Sequence, residues 1–78
     1  MRYVVEVHLK PEVSDPEGAA ILQAARALGF DFLSDVRVGK SFEIEVKEGT
    51  EEKELEVLSD KLLVNPVVET FRIRRDDD

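Results

Sequence analysis

Gly39-Lys40-Ser41, within the stretch SDVRVGKSFEIEV (Ser34 to Val46), carries the residue types that close a phosphate-binding loop. Such a loop needs G-x-x-x-x-G-K-[ST] between a strand and a helix, so that backbone N–H groups and the helix N-terminus surround the phosphates. The first glycine is missing, because Ser34 occupies its position. The residues after Ser41 alternate Phe42, Glu43, Ile44, Glu45, Val46, which is a strand pattern and not a helical one. Both requirements fail, and the stretch reads as a turn between two strands. In a hairpin, opposing residues share a face, so Val38 must oppose Phe42, with Gly39 to Ser41 as the loop. A two-residue turn would instead set Arg37 against Phe42 and carry a charge into the core.

Other chemistry is thin. His8 is the single histidine, and Glu6 shares its strand face two residues away. A metal site usually takes three or four ligands, so the pair reads as an exposed histidine beside a carboxylate. Carboxylates are abundant, yet no two stand out in the opposed environments that acid–base catalysis uses. The run EEKELE, Glu51 to Glu56, is the solvated face of a helix. No serine sits in a G-x-S-x-G elbow, and the lack of cysteine removes thiol chemistry. No catalytic, cofactor-binding or metal-binding residue is assigned.

The elements that would position these residues follow from periodicity. Arg2 to Leu9 alternates, with Tyr3, Val5, Val7 and Leu9 on one face and Val4, Glu6 and His8 on the other. Pro11 ends this strand. Asp15-Pro16 starts a helix as N-cap and first helical residue; Ile21, Ala24, Ala25 and Leu28 form its stripe, and Gly29 stops it. A short second strand spans Val36 to Val38, and a third runs from Phe42 to Lys47. Thr50 is the expected N-cap of a second helix with Leu55, Leu58 and Leu62 as its apolar stripe, closed by Asn65-Pro66. Val67 to Arg74 forms a fourth strand, with Phe71 and Ile73 inward.

The order β-α-β-β-α-β predicts an α+β fold: an antiparallel four-stranded sheet with two helices on one face, the ferredoxin-like plan. The other face would show Glu6, His8, Glu43, Glu45, Thr70 and Arg72, which suits pairing with a second copy. The 78 residues make one domain, residues 1–75, followed by an acidic tail, Asp76 to Asp78. A chain this short buries only about 60 % of its unfolded surface, and no disulfide or metal staples it. Oligomerisation or docking to a partner is the remaining source of stability. Eleven basic against 18 acidic residues, a net charge of −7, argue against nucleic acid as a partner. No apolar run approaches the roughly 18 residues of a membrane span, and no signal peptide opens the chain. A cysteine-free, leaderless chain is expected in the cytoplasm.

Three segments taken together go further: Asp15-Pro16-Glu17-Gly18, Val36-Arg37-Val38-Gly39-Lys40, and Lys61-Leu62-Leu63-Val64-Asn65-Pro66-Val67-Val68-Glu69. This ordered set resembles the PurS family, the small subunits of bacterial and archaeal phosphoribosylformylglycinamidine synthase in purine biosynthesis. The resemblance implies a subunit with no active site of its own, associating with itself and joining a glutaminase subunit to a synthetase subunit. The synthetase uses ATP and magnesium to turn formylglycinamide ribonucleotide into the amidine, and those ligands are expected in that partner. Within this chain Arg37 and Lys40 are the residues expected to meet a partner. The competing expectation is a ferredoxin-like regulatory domain that binds a small effector between protomers. The loop after the first strand, Lys10 to Asp15, weakens it, because it lacks glycine and holds two carboxylates.

Overall fold

Alternation in the first eight-residue run produces the central strand. The computed structural model describes residues 1–76, and β1, Arg2–Leu9, pairs antiparallel on both sides, with β2 (Gly39–Glu45) and β3 (Glu69–Arg75). The sheet order is β2-β1-β3. Val5 lies between Phe42 and Ile73, and Val7 between Lys40 and Phe71, so one face carries Tyr3, Val5, Val7, Phe42, Ile44, Phe71 and Ile73. Val5 and Val7 are fully buried there. The opposite face presents Glu6, His8, Glu43, Glu45, Thr70 and Arg72, as the alternation predicts. Val4 is buried on that polar face between Glu43 and Arg74, with Arg74 Nε 3.5 Å from the Glu6 carboxylate.

α1, Pro16–Ala27, begins as expected: Asp15 caps it by accepting the Gly18 N–H at 3.0 Å. α2, Glu52–Leu58, is capped one residue later than expected, by Glu51, whose N–H donates to the Glu54 carboxylate at 3.0 Å. Thr50 belongs instead to the preceding turn, its N–H donating to the Lys47 carbonyl. α2 opens into a π-helical turn, Ser59–Leu63, closed by the Val64 N–H on the Ser59 carbonyl at 3.1 Å. Asn65 ends it through its side chain, which accepts the Val67 N–H at 3.2 Å; its φ is not positive, so no left-handed cap forms. Leu55 is the buried anchor of α2, which packs beside β3.

The α+β class holds, but two expectations about the sheet do not. Among the described residues the sheet has three strands, and Val36 to Val38 pairs with none of them. Nor is Gly39-Lys40-Ser41 a turn. These residues belong to β2 and pair with His8, Val7 and Glu6. The physical reason lies in the pattern itself: Val36, Val38, Lys40, Phe42 and Ile44 continue one alternation without a break, and the far end of β1 needs a ladder partner. The chain therefore runs straight through the expected hairpin, and Val38 does not oppose Phe42.

With no return strand to carry it back, α1 does not lie on the sheet beside α2. Residues 30–38 instead run back along α1. The Phe30 N–H reaches the Ala25 carbonyl at 2.9 Å, and the Arg26 guanidinium reaches the Leu33 carbonyl at 3.4 Å. The first turn of α1 touches Val36, where only glycine fits: a Cβ on Gly18 would overlap the Val36 carbonyl. The result is a two-layer arm standing out from the sheet. The molecule measures 49 × 31 × 14 Å with a radius of gyration of 15.8 Å, against about 11.5 Å for a compact chain of this length. Of the acidic tail, Asp76 continues the sheet, its N–H donating to the Arg2 carbonyl; Asp77 and Asp78 lie outside the described residues.

Because the sheet and α2 share one small core, truncating its anchor should be costly. Leu55→Ala is expected to lower the unfolding free energy by about 2–5 kcal/mol, and Glu56→Ala on the solvent side by no more than about 0.5 kcal/mol. Urea unfolding of the two variants beside the parent checks this.

Candidate functional site

Where the loop after β1, the start of α1 and the entry to β2 converge, one carboxylate and one guanidinium tie the three together. Asp15 Oδ1 accepts the Gly18 N–H at 3.0 Å, while its Oδ2 accepts the Val38 N–H at 2.7 Å. Arg37 Nη2 donates to the Lys10 carbonyl at 3.1 Å and to the Val13 carbonyl at 2.9 Å. The N–H of Gly18, then that of Val38, hold the Asp15 carboxyl below its ordinary value of 3.8; burial opposes them, and the Arg37 charge adds to them. The sequence marks Asp15 as a helix cap. Its second bond, to a residue 23 positions away, has no local signal.

Of the two residues expected at a partner surface, Lys40 lies within β2 and Arg37 two residues before its start. Lys40 falls in phase with the apolar face, and its ammonium escapes over the Phe42 ring, 5.8 Å from the centroid. Gly39 pairs with His8, and the Val7 carbonyl together with the imidazole leaves no room for a side chain at that position. An open depression of about 420 Å³ lies beside Lys40, with Val7, Leu9, Asp15, Glu17 and Glu69 in its wall. Its carboxylates oppose a phosphate, and Asp15 has both oxygens engaged in structural bonds. Gly39-Lys40-Ser41 lies within a strand and feeds no helix, so its backbone donors cannot gather around an anion. His8 and Glu6 stand on the polar face, and among the described residues no three His, Cys, Asp or Glu side chains gather to hold a metal. Among the described residues no helix is long and apolar enough to cross a membrane.

A second feature includes the expected apolar stripe of α1, whose Ile21 and Leu28 the fold leaves exposed. Ile21, Leu28, Phe30 and Phe32 are exposed along the arm, Leu28 and Phe32 by 77 % and 78 %. Phe30 and Phe32 pack edge to face, with ring centroids 6.2 Å apart. The signal was present in Gly29-Phe30-Asp31-Phe32, two aromatics just past a helix stop where a solvated loop would be polar. The described residues thus offer exposed apolar surface along the arm and a clamped entry to β2.

The family model for PurS, described as phosphoribosylformylglycinamidine (FGAM) synthase, matches residues 2–77. The chain belongs to the PurS family. It is 43 % identical over 75 residues to the phosphoribosylformylglycinamidine synthase subunit PurS of Mycobacterium leprae, covering 96 % of this chain and 95 % of that one. Among solved structures it resembles PurS of Methanocaldococcus jannaschii, at 37 % identity and a TM-score of 0.83 over 94 % of this chain and 92 % of that one. It also resembles a chain in the Thermotoga maritima PurLQS structure, at 33 % identity and a TM-score of 0.81, covering 94 % and 93 %. The PurS-like reading of the three sequence segments is borne out across nearly the whole length.

Two tests follow from the clamp and the strand lysine. Lys40→Ala removes one exposed cation–π contact, so stability should change by no more than about 1 kcal/mol. Calorimetry should find no ATP binding to either protein, and binding abolished by Lys40→Ala would restore the phosphate-loop reading. Asn at position 15 offers one oxygen where two N–H groups need acceptors, so Asp15→Asn should destabilise the fold at neutral pH. Because the folded carboxyl titrates below 3.8, its stabilisation is complete above that value and is lost as pH falls through the folded pKa. The gap in unfolding temperature between parent and variant should therefore be open at neutral pH and close in strong acid. A gap that stays constant with pH would rule out the ionised carboxylate as its source.

Proposed function

We propose that this chain is the PurS subunit of phosphoribosylformylglycinamidine synthase, and that its role is assembly without chemistry of its own. The observation that carries this reading is a family match over residues 2–77 with relatives of nearly the same length. The Thermotoga maritima PurLQS structure, which contains a similar chain, supports a place between a synthetase and a glutaminase subunit. The synthetase uses ATP and magnesium to convert formylglycinamide ribonucleotide into its amidine, and the glutaminase supplies the ammonia. Both ligands belong to that partner, and Lys40 and Arg37 are the residues of this chain we place at a partner surface. We place the protein in the cytoplasm, where a chain without cysteine needs no oxidising compartment.

We also read the chain as a homo-oligomer. Its elongated monomer and exposed arm support this, since a domain of 78 residues has little core to spare. The effector-binding alternative draws no support from the depression beside Lys40, which is open and lined by opposing charges.

The test separates assembly from chemistry. With glutamine as the nitrogen source, amidine formation by the two larger subunits should fall by about a hundredfold when this subunit is omitted, the scale of an effective-concentration gain. With free ammonia the omission should matter little. Equal dependence with both nitrogen sources would show that the subunit does more than assemble; dependence with neither would remove this reading.

A further inference from the structure

β3 forms the other edge of the sheet, and its register against β1 tells which of its backbone groups are already bonded. The Lys10 N–H donates to the Val68 carbonyl and the Asp76 N–H to the Arg2 carbonyl, each at 2.9 Å. In an antiparallel ladder such bonded pairs recur at every second residue. Thr70, Arg72 and Arg74 therefore bond to β1. The N–H and carbonyl groups of Phe71 and Ile73 point outward, where the sheet has no further strand. Side chains alternate in step, with Phe71 and Ile73 on the apolar face and Thr70, Arg72 and Arg74 on the polar one.

Charge along this edge runs against that of the chain. A protein of net charge −7 places three of its 11 basic residues at positions 72, 74 and 75. Arg72 forms no ion pair among the described residues. Arg74, its side chain 54 % exposed, lies 3.5 Å from Glu6 and 3.7 Å from Asp76. The entry to the strand is held stiffly. The Asn65 N–H donates to the Glu69 carboxylate at 2.7 Å, and the Asn65 carbonyl accepts the N–H groups of Val68 and Glu69. An edge preset in this way loses little conformational freedom on binding.

We propose that β3 receives an extended segment of the glutaminase subunit, which joins the sheet as a fourth strand. The segment alternates, with apolar residues opposite Phe71 and Ile73 and carboxylates opposite Arg72 and Arg74. Those carboxylates fall at the rungs without hydrogen bonds, where side chains approach most closely. This rests on the assembly role proposed above and names the surface and the chemistry of one contact.

Charge and symmetry favour a different chain over another copy. Two β3 edges paired antiparallel would bring arginines of both copies onto one face. β2 of another copy does have the required alternation, Phe42, Glu43, Ile44 and Glu45. Pairing β3 with it is a head-to-tail contact, however, which repeats without limit unless a ring closes. Of the two larger subunits, the glutaminase suits an acidic strand better. The synthetase must attract ATP and a ribonucleotide, which asks for a positive field, whereas glutamine carries no phosphate.

Hydrogen exchange read at single amides tests the added strand. In the isolated chain Phe71 and Ile73 should exchange fast, while Arg72 and Arg74, bonded to β1, exchange slowly. Adding the glutaminase should slow Phe71 and Ile73 to the rate of their neighbours. In parallel, Arg72→Glu should weaken binding to the glutaminase by about tenfold or more, and Arg72→Lys should retain most of it. Because Arg72 faces Glu6 across the ladder, reversal also strains the sheet, and the exchange measurement on the parent stands independently of that variant. Fast exchange at Phe71 and Ile73 in the full complex would reject the added strand. Slow exchange already present in the isolated chain would give the edge to another copy. Slowing by the synthetase alone would give it to that subunit, and either result overturns the assignment. If neither larger subunit binds the chain at all, the assembly reading falls and takes this contact with it.

Discussion

The ladder between the end of β1 and the start of β2 governs the shape of this molecule. β1 alone has neighbours on both sides, and its residues Glu6 to His8 take Ser41 to Gly39 as partners. Those three residues cannot at once be ladder and turn. Once they pair, the chain upstream must continue straight, and everything from Pro16 to Val38 leaves the sheet with it. Two interactions then fix the direction of departure. Asp15 joins the first turn of α1 to the backbone of Val38, and Arg37 joins the same strand entry to the loop at Lys10 and Val13. The arm is a consequence of strand pairing, with its angle set by one carboxylate and one guanidinium.

Much of this was legible in the residues, and the failures in the sheet have one cause. β1 could be read because its alternation is local and complete, and α1 because Asp15, Pro16 and Gly29 punctuate it. The polar face of the sheet followed from the same period of two. What failed was the choice between a hairpin and a continuous strand at Gly39-Lys40-Ser41. Periodicity is identical in the two, since Val36, Val38, Phe42 and Ile44 share a face either way. The decision belongs to a long-range competition for β1, which no local pattern reports. Lys40 is tolerated in phase with the valines because its charge finds the Phe42 ring. The Asp15 to Val38 bond was hidden for the same reason, being a contact across the fold.

At Gly39-Lys40-Ser41 the legible part was the strand that follows Ser41. A strand in place of a helix after Ser41 removes the geometry of phosphate binding, and the carboxylate with the clearest pKa perturbation spends both oxygens on backbone N–H groups. Perturbed acids often mark active sites, but the same signature arises wherever a carboxylate holds a fold together. Here the partners of Asp15 are structural, so its perturbation reports a clamp. Arg37 has a comparable role, since its guanidinium stitches loop to strand before it meets anything outside the chain.

A subunit devoted to assembly has reason to be built this way. Apolar side chains such as Leu28 and Phe32 cost solubility when exposed, and a net charge of −7 offsets that by keeping unassembled chains apart. The same charge makes association depend on specific contact, because general self-attraction is suppressed. Stability then follows mass action: whatever covers the arm stabilises the folded chain in proportion to its own concentration and affinity. A small domain with a complete core would fold without its partners and respond weakly to them. This chain leaves apolar side chains exposed along an arm, so that whatever covers them stabilises the fold as well.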